Sequence, residues 1–284
     1  MADLARSYEK VLVLGNGFDL NLGLKTKYSD FIQSEEFQVL IQPNNFFAHL
    51  IRQQNLNNWI DIEAELKEYS RSVNDKNFES DYYNLCNALM DYISKISYDE
   101  IDRSSIAYQL IKEVTAEDFI VFDFNYTETF EHLALKTGFK GRRIGDRIVK
   151  VHGSAKEQDI IFGVEEGASI KPENIFLKKA FPPHYKGINL GYHLDTAKEV
   201  HFFGHSLGET DHNYFQHFFQ RISTPSAGFQ NQKKIINLYY YGMDAYKDLH
   251  IQLDKLTLNR LGSLKNKNEF NPIPIPMVKK VLSN

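Results

Sequence analysis

The chain has 284 residues, 42% of them hydrophobic and 25% charged, enough for one large core or one core carrying a sizeable insertion. A net charge of -4 and a pI near 6.2 exclude global attraction to nucleic acid or an anionic membrane, leaving small molecules and proteins as expected partners. The single cysteine, Cys86, excludes a disulfide framework and a four-cysteine zinc site, and with neither a signal-peptide core at Met1-Ala2-Asp3-Leu4-Ala5-Arg6 nor an apolar run of about 20 residues, a cytoplasmic protein is expected.

The first predicted element is a strand at 11–14, Val11-Leu12-Val13-Leu14, running into a loop with glycines at 15, 17 and 23. A buried strand that ends in closely spaced glycines lets backbone approach a pyrophosphate and aim N–H groups at it. The full G-x-G-x-x-G fingerprint would need glycine at 20, where Leu20 stands, so a tight turn with glycines at positive φ is the other reading. A polar stretch from about 30 to 114 follows, with helical spacing at 45–54, 60–71, 78–96 and 104–113. It is too long for one crossover and predicts a helical insertion or lid. Further strands are predicted at 119–122, 148–151, 160–162, 199–203 and 234–240, most followed by helical patterns. After Leu261 the pattern fades, and Pro272, Pro274 and Pro276 predict an extended tail over 262–284, docked on the domain or on a partner. Strands alternating with helices imply a single α/β domain over 1–284, an open parallel sheet with helices on both faces.

Ligands of such sheets bind outside the carboxyl ends of the strands. Four loops are therefore expected to carry the chemistry: Gly15-Asn16-Gly17-Phe18-Asp19, Asp123-Phe124-Asn125-Tyr126-Thr127, His152-Gly153-Ser154, and Gly204 through Asp211. Their order resembles that of the AbiH family of bacterial phage abortive-infection proteins, through Gly15 to Leu20 with Gly23, Leu24 and Tyr28, Trp59-Ile60-Asp61-Ile62-Glu63, Phe124 to Thr127, His152-Gly153, and Phe203 to Asp211. More distantly the chain resembles the sirtuin-like NAD-binding fold, whose Gly-x-Gly loop has a further glycine six residues on, as Gly23 follows Gly17, then an Asn loop, a His-Gly and a Gly-x-Ser loop.

The resemblance implies a sirtuin-like, Rossmann-type sheet that binds NAD or a related dinucleotide in anti-phage defence. By it Gly15, Asn16, Gly17, Phe18, Asp19, Gly23, Thr127 and Gly153 would line the dinucleotide, with Gly204, His205, Ser206 and Asp211 at the adenosine side or closing the site. Asn125 and His152 would be the catalytic pair at the nicotinamide ribose. The sirtuin four-cysteine module is absent, and Asp19 stands where deacetylase sirtuins carry serine. These departures favour hydrolysis of NAD itself to nicotinamide and ADP-ribose, with NAD as substrate, no metal, and a second copy or a phage-derived trigger as partner.

The residue chemistry agrees with that expectation. N-glycoside cleavage passes through an oxocarbenium-like ribose, and a neutral His152 can share a hydroxyl proton while Asn125 orients ribose or water without adding charge. Plainer readings stand beside it: an Asx-turn at Asn125, a hydrogen-bonded loop histidine at 152, helix N-caps at Asp19 and Asp211, and an ordinary amphipathic helix for Trp59, Asp61 and Glu63. Gly204-His205-Ser206-Leu207-Gly208 is a literal G-x-S-x-G with Ser206 as nucleophile, and the same loops would also serve a non-catalytic nucleotide sensor. His201, His205, His212 and His217 with Asp211 match no compact zinc signature, and Lys136, Lys140, Arg142, Arg143, Arg147 and Lys150 read as a solvated turn.

Overall fold

The strand Lys10–Leu14 (β1) is apolar on both faces, and its last four residues are fully buried, as befits a central strand covered by helices on both sides. In the computed structural model, which describes residues 6–43, 45–57, 61–99, 101–115, 118–137, 144–224 and 233–276, it is followed by Phe119–Asp123 (β2), Ile148–Lys150 (β3), Glu199–Phe203 (β4), Ile235–Tyr240 (β5) and Glu269–Pro274 (β6). All pair in parallel in the order β3-β2-β1-β4-β5-β6. The strand order reverses between β1 and β4, and Leu14 stands level with both Asp123 and Phe203, so the loops leaving β1, β2 and β4 emerge side by side.

The helices are Asn16–Asn21 (α1), Tyr28–Ile32 (α2), Glu35–Gln38 (α3), Phe46–Asn57 (α4), Ile62–Ser72 (α5), Phe78–Ser94 (α6), Ile106–Thr115 (α7), Thr129–Lys136 (α8), Leu190–Thr196 (α9), His212–Ser223 (α10), Gly242–Leu256 (α11) and Leu261–Lys267 (α12). One sheet face, through Val11, Val13, Phe122, Phe202 and Leu238, packs on α9 to α12. The other, through Leu12, Leu14, Val121 and Phe203, packs on α1, α7 and α8. Helices α2 to α6 bury a core of their own, shared with residues 155–177 between β3 and β4. The helix predicted at 104–113 is therefore α7, a crossover helix of the sheet rather than part of the inserted bundle.

Two expectations need correction. Residues 160–162 form no strand: Ile160 and Phe162 bury their side chains among the insertion helices, and the Phe162 carbonyl accepts from the Tyr82 hydroxyl at 2.7 Å. The tail expected over 262–284 departs from an extended chain only at its start, which forms α12; Glu269–Pro274 is extended and docks on the domain as the edge strand β6, and residues 277–284 lie outside the described set. The prolines suit that edge. Glu269 and Ile275 donate their N–H groups to Lys234 and Tyr240 carbonyls, so odd-numbered amides face β5 while Pro272 and Pro274, which have no N–H, face outward.

The loops after β1 and β4 touch backbone to backbone. Gly15 N donates to the Phe203 carbonyl and Gly17 N to the Gly204 carbonyl, both at 3.0 Å, and Phe18 N donates to Gly15 O at 2.9 Å. A Cβ on Gly17 would lie 2.6 Å from Gly204 Cα, and one on Gly204, where φ is +66°, would lie 2.3 Å from Phe18 N. These glycines thus make room for protein backbone. The amides of Gly15, Gly17 and Phe18, in the loop expected to face a pyrophosphate, are donated within the protein. Gly17→Ala should accordingly lower the melting temperature by roughly 3 to 10 °C, the range expected when backbone must move to accept a methyl group. Thermal unfolding followed by circular dichroism checks this, and a variant melting with the parent would show that the loops part freely.

Candidate functional site

A cavity of about 750 Å³ opens where the carboxyl ends of β1, β2, β3 and β4 meet the insertion. Ten of the residues expected there line it: Gly15, Asn16 and Asp19 from the first loop, Asn125 and Thr127 from the second, His152 from the third, and Gly204, His205, Ser206 and Asp211 from the fourth. Gly17 and Gly23 instead border an adjoining cavity of about 500 Å³ walled by Tyr239, Tyr240 and Tyr241. Phe18 lines neither; it is buried against Phe203, edge to face at 5.7 Å. Gly153 also lines neither and turns at φ +69° against the Asp159 backbone.

Asn125 is held by the residue that ends its strand. Asp123 Oδ1 accepts from Asn125 N at 3.0 Å, so the Asx-type turn belongs to Asp123, and Asn125 Nδ2 is left to donate to the Gly15 carbonyl at 3.2 Å. Beneath the loop, Lys150 Nζ donates to Asp123 Oδ2 at 2.7 Å and to the Thr127 carbonyl, with Glu131 Oε1 3.4 Å away. Burial opposes the Lys150 ammonium, but Asp123 and Glu131 outweigh it and hold its pKa above the ordinary value. Lys150 is therefore a half-buried clamp and no member of a solvated turn; Lys140, Arg142 and Arg143 lie outside the described residues.

Asp19 sits one turn into α1, where Gly15 holds the N-cap position, so its carboxylate is not a cap. Its Oδ2 accepts from the Thr127 hydroxyl at 2.7 Å, and Thr127 Oγ1 accepts in turn from Thr129 at 2.9 Å. Oδ1 is buried without a hydrogen-bond partner among the described residues. Burial raises the Asp19 pKa to about 7, against the hydrogen bond from Thr127.

Asp211 collects the remaining polar groups. It occupies the N-cap position of α10 but makes no capping bond. Lys179 Nζ lies 3.0 Å and His152 Nε2 3.3 Å from its Oδ1, and His205 Nε2 lies 3.5 Å from its Oδ2. His152 Nε2 is buried and not aligned for a hydrogen bond with that carboxylate. Burial, reinforced by Lys179, lowers the His152 pKa to about 4, so the ring is neutral at pH 7. Burial would raise Asp211, but the Lys179 ammonium overrides it and keeps the carboxyl well below its ordinary range. Lys179 also approaches Glu63 Oε2 at 3.3 Å, and burial pushes Glu63 to about 7 despite that cation.

Glu63 comes from α5, whose N-cap Asp61 accepts from Glu63 N and Ala64 N; both residues line the cavity, so the start of this helix faces the site in addition to packing as an amphipathic helix. Trp59 lies outside the described residues. Lys179, only 4% exposed, was missed in the sequence because a lysine beside Lys178 in a stretch without motifs signals solvent by default.

The serine-hydrolase and metal-cluster readings lose support. Ser206 is exposed, its Oγ accepts from Gly208 N at 3.3 Å, and the positive φ values fall on Gly204 and Leu207 on either side of it, while His152 and His205 both turn Nε2 to Asp211. The other histidines disperse: His201 pairs with Glu199 at 3.0 Å, His212 with Gln252 at 3.0 Å, and His217 is exposed beside Asp195.

A family model described as Bacteriophage abortive infection AbiH matches residues 11–230, a span that includes all four loops. No curated protein matches the chain.

Asp19 carries a pH test. Its folded pKa of about 7 exceeds the ordinary 3.8, so the native state binds the proton more tightly than the unfolded chain. Its contribution is intact below about pH 4 and is lost as pH rises to 7. Asn at 19 stays neutral and still accepts from Thr127. Asp19→Asn should gain on the parent by up to about 4 kcal/mol between pH 4 and pH 8. Denaturant titrations at both pH values check this, and parallel stability profiles would contradict it.

Proposed function

The chain belongs to the AbiH family of bacteriophage abortive-infection proteins, and from that premise we propose that its cavity takes NAD, or a closely related dinucleotide, and hydrolyses it to nicotinamide and ADP-ribose. The observation that carries this reading is the meeting of Asn125 and His152, both buried, at the ends of the adjacent strands β2 and β3 in one cavity at the switch point of the sheet. The cavity volume lies within the usual range for small-molecule sites, about 300 to 1,000 Å³.

As the bond between ribose C1′ and the pyridinium nitrogen breaks, its electron pair goes to nicotinamide, which leaves neutral, and positive charge develops on the ribose. Asn125, fixed by Gly15 and Asp123, orients the ribose or the water. Water oxygen adds to C1′, its proton shared with neutral His152 and then released to solvent, which completes ADP-ribose. Asp211, kept ionised by Lys179, and the partly ionised Asp19 and Glu63 line the cavity and favour that developing cation. Unchecked loss of NAD would kill the producing cell, so release by a phage-derived protein or by assembly of copies belongs to the proposal, as does a cytoplasmic location. No helix among the described residues is long and apolar enough to cross a membrane.

Asn125→Ala and His152→Ala should each slow NAD consumption by about 10² to 10⁴. Both act on one transition state, so the double variant should be scarcely slower than either single one. Chromatographic assay of NAD with the purified variants checks this, melting curves confirming that they fold. Folded variants that consume NAD at the parent rate would remove the catalytic pair. A parent that binds NAD without consuming it, with or without extract of phage-infected cells, would leave a sensor.

A further inference from the structure

The two cavities adjoin, sharing Leu20, Lys27, Gly204, His205, Ser206 and Tyr241 along their boundary. A dinucleotide with its nicotinamide ribose against Asn125 and His152 and its adenosine in the tyrosine-walled cavity would carry its pyrophosphate across that shared boundary. Resting on the NAD reading above, we propose that Lys27 is the residue that binds the substrate's pyrophosphate.

Charge singles it out. Among the described residues lining either cavity, Lys27 is the sole lysine or arginine, whereas the carboxylates include Asp19, Asp61, Glu63 and Asp211 on one side and Asp30 and Asp248 on the other. The amides of Gly15, Gly17 and Phe18 are already donated to protein carbonyls. Lys179 is buried between Asp211 and Glu63 and has no charge to spare. A pyrophosphate bears negative charge that this acidic surface repels, and one exposed ammonium at the boundary is what offsets it.

The fold also holds Lys27 in place. Gly23, at φ +89°, ends α1, with Gly23 N donating to Leu20 O and Leu24 N to Asp19 O, and so turns the chain back over the first loop. Asn16 then grips Thr26 twice: its Nδ2 donates to the Thr26 carbonyl at 3.0 Å, and its Oδ1 accepts from the Thr26 hydroxyl. Lys27 N donates to Asp30 Oδ2 at 3.3 Å as α2 begins. The backbone is anchored on both sides, and the side chain is exposed without a salt bridge among the described residues. Asn16 thereby becomes a positioning residue for the cation.

The test compares the full chain with Lys27→Met and Lys27→Arg by calorimetric titration with NAD at low and high salt, alongside kcat at saturating NAD and melting temperature. One lost charge-assisted hydrogen bond predicts at least about tenfold weaker binding for Lys27→Met, with a flatter salt dependence. Its kcat should stay within about threefold of the parent's and its melting temperature unchanged, while Lys27→Arg retains most of the affinity. Parent-like affinity and salt response in Lys27→Met would overturn the proposal, as would a fall in kcat or melting temperature with affinity unchanged. A parent that fails to bind NAD would instead remove the NAD reading itself, and this assignment with it.

Discussion

The backbone contact between the loops that leave β1 and β4 is the constraint from which the site is built. Gly17 and Gly204 meet at distances that exclude a Cβ on either, and the close approach holds the switch point of the sheet shut on the protein side. Each residue of the first loop then has its own task. Gly15 presents its carbonyl to Asn125, Asn16 grips Thr26, Phe18 fills the core beside Phe203, and Asp19 takes the Thr127 hydroxyl. A short sequence thus joins three neighbouring segments at once. Moving the loop would move Asn125, Thr127 and Lys27 together.

Charge is arranged in the same economical way. Two lysines, one half-buried and one buried, each lie between carboxylates: Lys150 with Asp123 and Glu131 under the second loop, Lys179 with Asp211 and Glu63 between β4's loop and the insertion. Breaking such a pair leaves an uncompensated charge in a low-dielectric setting, which is costly, so the pairs hold their loops firmly. The groups proposed to touch the reacting atoms, Asn125 and His152, are neutral within this frame of fixed charges. Phe124 packs its ring against both His152 and His205, at 5.1 and 4.4 Å, so the two rings that approach Asp211 share one apolar support. The network also ties the insertion to the sheet, since Glu63 is an α5 residue.

The sequence revealed what rests on local pattern. Apolar runs gave β1, β2, β4 and β5, and helical spacing gave the main insertion helices, because each buries its side chains within a few residues of chain. It misread what depends on distant partners. The apolar run at 160–162 finds helices instead of a strand, and the prolines of β6 conceal a strand because only the outward amides are missing. The four loops were legible as a set, and thirteen of their residues line one cavity. Lys150 and Lys179 were not, because only the folded chain brings their carboxylate partners to them. The glycines at 15 and 17 were noticed for the right reason, a close backbone approach that a side chain would block, but the backbone that approaches belongs to the protein.

Incubation of the purified chain with NAD in ¹⁸O-labelled water, with products resolved by mass spectrometry, tests the central claim most directly. Cleavage at the nicotinamide ribose predicts nicotinamide and ADP-ribose in equal amounts, with the label on the ribose C1′ hydroxyl and none in nicotinamide. Cleavage at the pyrophosphate with label on a phosphate, or NAD left unchanged even when extract of phage-infected cells is added to the chain, would contradict the assignment of Asn125 and His152 to glycosidic hydrolysis.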